Sequence, residues 1–233
     1  MAPILSVQNV GVTLDGKTIV EGISFELARG DNLAIIGPNG SGKTVLLRAL
    51  LGIVPHSGNV RWAPGVKVGY VPQKIDADRH LPLSIGDLLR AKSRVLHLPA
   101  DRVAVVGDVI GLSPEILDAP IGRLSGGQFQ KAQIAFALLG DPNVLLLDEP
   151  TASLDQLTEE RVYELIRRLQ ARFGLTLIVV SHDLSMVYRE ATQVLCLNRQ
   201  GLCFGPPSQV LTPEALRTLF GEHHHLYKHP HGS

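Results

Sequence analysis

Three short stretches of the chain carry residue types that do chemistry together. The first, GPNGSGKT, occupies residues 37–44 and fits G-x-x-x-x-G-K-[ST] at every position. An apolar run, NLAIIG, leads into it and a helical pattern follows. In such a loop, glycines let backbone N–H groups converge on a phosphate, and the helix N-terminus adds partial positive charge. Gly37, Pro38, Asn39, Gly40, Ser41 and Gly42 are therefore candidate cradle positions for a nucleotide phosphate chain. Lys43 is the expected partner of the β- and γ-phosphates, and the Thr44 hydroxyl is placed to hold Mg²⁺. A plain Gly-rich turn beside a surface lysine would not require the flanking strand and helix.

The second stretch, NVLLLDEP, ends an apolar run in two acids, Asp148 and Glu149. Open α/β sheets bind ligands at the carboxyl ends of their strands, which is where these acids would stand. Asp148 suits Mg²⁺, directly or through water, and Glu149 suits the orientation or deprotonation of an attacking water. Alone, the pair could be a solvated acidic turn. Beside a phosphate loop, both features belong at one sheet edge. The third stretch, LSGGQFQKA over residues 124–132, places Ser125, Gly126 and Gly127 where a helix opens, so they can offer N–H donors to an anion or simply cap their own helix.

These residues need a scaffold to position them. ILSVQNVGVTL and TIVEGISFELARG alternate apolar and polar residues around a DGK turn, which predicts an antiparallel β layer. NLAIIG, NVLLLDEP, LTLIVVS and QVLCLN predict buried strands. Val162, Leu165, Ile166 and Leu169 share one helix face that ends near Gly174. Thr212 and Pro213 open a last helix. From about Leu81 to Pro120 the texture is helical, broken by Pro82, Pro99, Gly111, Pro114 and Pro120. The expected fold class is α/β: a mostly parallel, helix-covered sheet of the P-loop NTPase kind, with an N-terminal antiparallel β layer and a helical insertion. Residues 1–76 and 141–220 are expected to form the core, 77–140 the helical subdomain and 221–233 a His-rich tail, all one domain.

Composition narrows the partners. The 22 basic and 22 acidic residues cancel, so no global field favours nucleic acid. The apolar runs are strand-sized, far short of the roughly 20 residues of a membrane span. No basic and apolar leader is expected at MAPILSVQNV. Cys196 and Cys203 suggest no disulfide framework and a reducing compartment.

At LSGGQFQKA the chain resembles the ABC-type ATPases, whose signature is LSGGQ. Their other elements follow in order: Gln73 in YVPQK matches the Q-loop, SLD at residues 153–155 the D-loop with Asp155, and His182 in VVSHDL the switch histidine. The resemblance implies ATP and Mg²⁺ as ligands, and a head-to-tail pair of subunits in which Ser125, Gly126 and Gly127 of one copy close on the γ-phosphate held by the other. It implies that Gln73 senses Mg²⁺ and the water, and that His182 holds the γ-phosphate or polarises the water. One position departs from the pattern. Where the family commonly stacks an aromatic ring on adenine, this chain has Leu14. Lys131 also stands where many relatives have Arg.

The ending LCLNRQGLCFGPPSQVLTPEALRTLFGEHHHLYKH resembles the ends of the zinc/manganese importer ATPases. That resemblance implies an importer ATPase, peripheral on the cytoplasmic face of the membrane through a separate permease, served by an external substrate-binding protein. Iron-chelate and other importer ATPases share every motif, and the alternative of a different class is a soluble ABC module outside transport, acting as an ATP-gated clamp on a protein complex. Five of the nine histidines, His223, His224, His225, His229 and His231, lie in the tail. The spacing of His225 and His229 suits a transition metal on a helix, but Gly221 and Pro230 frame the segment against one. A regulatory metal-ligand set and a solvated tail both remain open.

Overall fold

The computed structural model describes residues 2–73, 83–152 and 154–221. Strands β1 (Leu5–Leu14) and β2 (Lys17–Leu27) form an antiparallel pair around the DGK turn, and β4 (Ser57–Trp62) adds to the other side of β1. This is the expected N-terminal antiparallel layer. The parallel part runs β8 (Gln193–Asn198), β3 (Asn32–Ile36), β7 (Thr176–Val180), β6 (Val144–Asp148) and β5 (Val68–Val71). Strand β9 (Gln200–Gly205) folds back antiparallel on β8 and meets β2 through one parallel pair, Glu21 with Gln200. The described strands thus form one sheet in the order β4-β1-β2-β9-β8-β3-β7-β6-β5. Strands β4 and β9 carry no strong alternation of their own, and sequence patterning did not mark them.

Every residue of β3, β6 and β7 is buried, which is why these runs are apolar apart from Asn32, Asp148 and Thr176 at their ends. Their alternation still sorts side chains between two cores. Leu33, Ile35, Leu146, Ile178 and Val180 join the antiparallel layer and Leu46, Leu47 and Leu50 of α1 (Lys43–Leu50). Ala34, Ile36, Leu145, Leu147, Leu177 and Val179 face the opposite side, packed with α5 (Gly126–Leu138) and α6 (Gln156–Phe173). The predicted stripe on α6 is in that core: Val162, Leu165, Ile166 and Leu169 are all buried, and Gly174 ends the helix in a left-handed turn. Pro99, Gly111, Pro114 and Pro120 act as punctuation between α2 (Ile85–Val95), α3 (Arg102–Ile110), α4 (Pro114–Asp118) and α5, while Leu81 and Pro82 lie outside the described residues. Gly111 caps α3 in a left-handed turn, and Pro114 opens α4. After β7, α7 (Leu184–Glu190) leads into β8, and after β9 come α8 (Pro207–Val210) and α9 (Pro213–Phe220), the last capped by the Thr212 hydroxyl.

The cysteines correct an expectation. Cys196 and Cys203 are joined as a disulfide, with Cα atoms 4.9 Å apart. They are register partners across the β8–β9 ladder, and the tight hairpin between them brings the two thiols face to face. Composition hid this because it counts cysteines without knowing which strands are neighbours. For so short a loop, the chain-entropy view assigns such a cross-link about 2 kcal/mol. The protein is expected to melt at a lower temperature in dithiothreitol than without it. Identical melting curves would mean that the ladder alone fixes the hairpin.

Candidate functional site

The phosphate loop connects β3 to α1 and is held from both sides. A Cβ on Gly37 would lie 2.0 Å from the Leu197 carbonyl oxygen at the end of β8, so no side chain fits there. Gly42 adopts φ 99°, and a Cβ on it would lie 2.6 Å from Val20 on β2. Between these contacts the loop turns its groups inward. The Lys43 ammonium donates to the carbonyl oxygens of Gly37, at 2.9 Å, and Pro38, at 3.1 Å. It lies 4.0 Å from Glu149 Oε1. Burial pulls the Lys43 pKa below its usual range, while the charges of Glu149 and Asp148 pull it back up. The Ser41 hydroxyl is buried with no hydrogen-bond partner.

The two acids have separate surroundings. Asp148 is the last residue of β6 and is 1 % exposed. Its Oδ1 accepts from the Thr44 hydroxyl at 3.1 Å, and its Oδ2 lies 3.5 Å from the Tyr70 hydroxyl on β5. Burial raises the Asp148 pKa, and the Glu149 charge adds to the rise. The Thr44 hydrogen bond, the Arg48 charge and the Tyr70 hydroxyl oppose it. Glu149 follows in a left-handed conformation, φ 47°, with its N–H donating to the Val180 carbonyl at 3.1 Å. That turn re-aims its side chain, and Oε2 accepts from Gln73 Nε2 at 2.7 Å. Strained backbone of this kind collects at functional sites.

The structure therefore brings together Lys43, Thr44, Asp148, Glu149 and Gln73, drawn from three separated stretches. It does not bring the signature residues to them. Ser125 caps α5, its hydroxyl accepting from the Gln128 N–H and its N–H donating to the Gln128 side chain. Gly126 and Gly127 pack closely on Leu154 and Thr158. Asp155 caps α6 through the Thr158 N–H and hydroxyl, and these bonds lower its pKa. Among the described residues, no side-chain hydrogen bond ties this group to the phosphate loop. His182 is exposed just beyond β7. Leu14 is half-buried at the β1–β2 turn. Ser153 and the histidines 223, 224, 225, 229 and 231 lie outside the described residues. Tyr70 opens the YVPQK stretch but is not among the site residues expected from sequence, and its adjacency to Asp148 follows from the β5–β6 pairing.

The groups present fit a nucleotide phosphate chain. An orphaned buried hydroxyl at Ser41, an ammonium turned onto carbonyls of its own loop, and a helix N-terminus are together the donors that an anion takes up. Thr44 and Asp148 offer hard oxygen donors, which fit Mg²⁺.

A family profile described as "ABC transporter" matches residues 20–152. The "Zinc import ATP-binding protein ZnuC" of Pseudomonas putida is 40% identical over 99% of this chain and 92% of its own length. The chain belongs to the ABC transporter family. As an ABC ATPase it binds and hydrolyses ATP. The ZnuC of Cereibacter sphaeroides is 41% identical over 94% of this chain and 88% of its own. Among solved structures, cbiO1 of Clostridium perfringens, part of the ABC transporter complex cbiONQ, superposes with a TM-score of 0.79. It is 27% identical and covers 93% of each chain. As in other ABC ATPases, the parallel strands carry the phosphate loop and the acids, and the antiparallel layer flanks them. No helix among the described residues is long and apolar enough to cross a membrane.

The raised Asp148 pKa makes a signed prediction. The folded protein holds this proton to a higher pH than the unfolded chain does, so ionising Asp148 costs stability as pH rises through the raised value. Asp148→Asn is therefore expected to gain stability over the parent as pH rises from acid to neutral in Mg²⁺-free buffer, while losing ATPase activity. Urea midpoints across pH check this. A constant gap at all pH values would contradict it.

Proposed function

We propose that this chain is the ATP-hydrolysing subunit of a zinc importer and powers a separate membrane permease from the cytoplasmic face. The observation that carries the cargo is similarity along the whole chain, at 40% identity over 99% of it, to a protein named for zinc import. The shared motifs alone would fit an ATPase for any substrate. Manganese is the neighbouring possibility in the same chemistry, and the uptake test below separates the two.

The mechanism follows from the groups at the sheet edge. ATP lies along residues 37–44, where backbone N–H groups, Lys43 and the Ser41 hydroxyl take up its phosphates. Mg²⁺ at Thr44 and Asp148 would neutralise charge on the β- and γ-phosphates. Gln73, hydrogen-bonded to Glu149 here, moves to report the filled site. That frees Glu149 to take a proton from the attacking water as it meets the γ-phosphorus. His182 stands after β7 to steady the γ-phosphate. Ser125, Gly126 and Gly127 of a second copy close the site from outside, with Asp155 beside them. The capped helix start they share presents N–H groups and positive dipole to the γ-phosphate. Most of the acceleration comes from positioning and charge. Closing and reopening the pair drives the permease, which receives its ion from an external binding protein.

In a strain lacking the gene, the parent chain is expected to restore zinc-limited growth and radioactive zinc uptake. Glu149→Gln is expected to restore neither, to hydrolyse ATP about a hundredfold more slowly or worse, and to trap an ATP-bound dimer on size exclusion. Restored uptake of manganese or iron in place of zinc would overturn the cargo, and near-normal hydrolysis by the variant would overturn the role of Glu149.

Leu14 covers one face of the base without ring stacking. Leu14→Tyr is expected to tighten ATP binding about threefold to tenfold more than GTP binding, read by calorimetry. Equal shifts for the two nucleotides would exclude Leu14 from the base site.

A further inference from the structure

The β8–β9 hairpin belongs to no nucleotide motif, yet its tip reaches the phosphate loop. Arg199 sits at that tip, flanked by Asn198 and Gln200, which pair with each other. The Arg199 N–H donates to the Ser41 carbonyl inside the loop, at 3.1 Å. Its carbonyl accepts from the Glu21 N–H of β2, at 2.8 Å. One residue thus bridges the phosphate loop and the antiparallel layer through its backbone. The Cys196–Cys203 disulfide closes the hairpin behind it.

Two further observations concern its side chain. Arg199 holds φ 63°, a conformation that glycine or asparagine adopts at little cost and arginine does not. The backbone bonds just described need only a peptide group, so they give no reason for an arginine there. In addition, a cleft of about 350 Å³ opens at this spot, lined by Lys17, Thr18, Ile19, Gly40 and Arg199. That volume lies at the lower end of small-molecule sites. Its lining contains two cations on different elements, a glycine of the phosphate loop, and no carboxylate. Such a lining suits an anion that enters beside the loop.

We propose that Arg199 is a nucleotide-binding residue: its guanidinium, with Lys17 of the same cleft, grips the phosphate chain of ATP where it leaves the loop past Gly40. The proposal rests on the ATP reading of the loop and adds a contact from outside the motifs. It also gives Leu14 a context. A base held without an aromatic stack leaves more of the affinity to charge at the phosphate end, and the cleft supplies two cations there. Guanidinium groups recognise phosphate through paired N–H donors, which an ammonium only partly replaces.

The test uses the full chain, with ATP and ADP binding measured by calorimetry in Mg²⁺-free buffer at low and raised salt, alongside melting temperature. Arg199→Asn keeps a residue that tolerates the left-handed turn. It is expected to weaken both nucleotides about tenfold, to flatten the salt dependence, and to leave the melting temperature unchanged or higher. Arg199→Lys is expected to recover part of the affinity. If the parent binds ATP and Arg199→Asn binds it within twofold, the grip is refuted and the ATP site stands. Should affinity and melting temperature fall together in both variants, Arg199 is a structural tip and the proposal fails. A parent chain that binds no ATP would overturn the ATP reading itself.

Discussion

Lys43 turns its ammonium onto the carbonyl oxygens of Gly37 and Pro38, and the whole sheet edge is arranged around that buried positive charge. A buried ammonium is costly unless it is paired and hydrogen-bonded. The carbonyls provide the bonds, and Glu149 and Asp148 provide opposite charge nearby. The acids are subject to the same constraint in reverse. Asp148 lies deep at the end of β6, needs the Thr44 hydroxyl as partner, and so stands where a metal would meet both. Glu149 is turned away from the ladder by its left-handed backbone, and so stays nearer to water. One charge-balance problem, solved at the carboxyl ends of parallel strands, sets neighbouring acids to different tasks.

The scaffold was legible wherever burial demands a simple pattern. The central strands read as unbroken apolar runs because both of their faces are covered, and α6 read as a stripe because only one of its faces is. The loop from Gly37 to Thr44 was legible for a stricter reason. The Leu197 carbonyl and the Val20 side chain leave no room at Gly37 and Gly42 for anything larger than hydrogen. Residue identity there is dictated by sterics, and sterics leave a mark on sequence.

What escaped the sequence depends on which elements become neighbours. Tyr70 meets Asp148 only because β5 lies beside β6, and the cysteines meet only because β8 turns tightly into β9. Neither fact leaves a local periodicity. Arg199 escaped for a related reason. Its strain is a property of one dihedral angle at a hairpin tip, and an arginine in a polar stretch between two strands looks unremarkable until that angle is known. The signature residues show the opposite case. Their motif is plain in the sequence, yet within a single chain they do no more than cap α5 and pack on the start of α6.

The division of the sheet into two cores has a thermodynamic consequence. Leu33 and Ala34 are consecutive, but their side chains lie in different hydrophobic clusters, as do Leu145 and Leu146. Energetic coupling between residues requires shared contacts and fades when the sheet stands between them. Substitutions at such neighbours act as nearly independent losses, whereas Leu33 and Leu46, distant in sequence, share a cluster and are placed to couple. In the central strands of this protein, closeness along the chain is a poor guide to epistasis, and strand face is a better one.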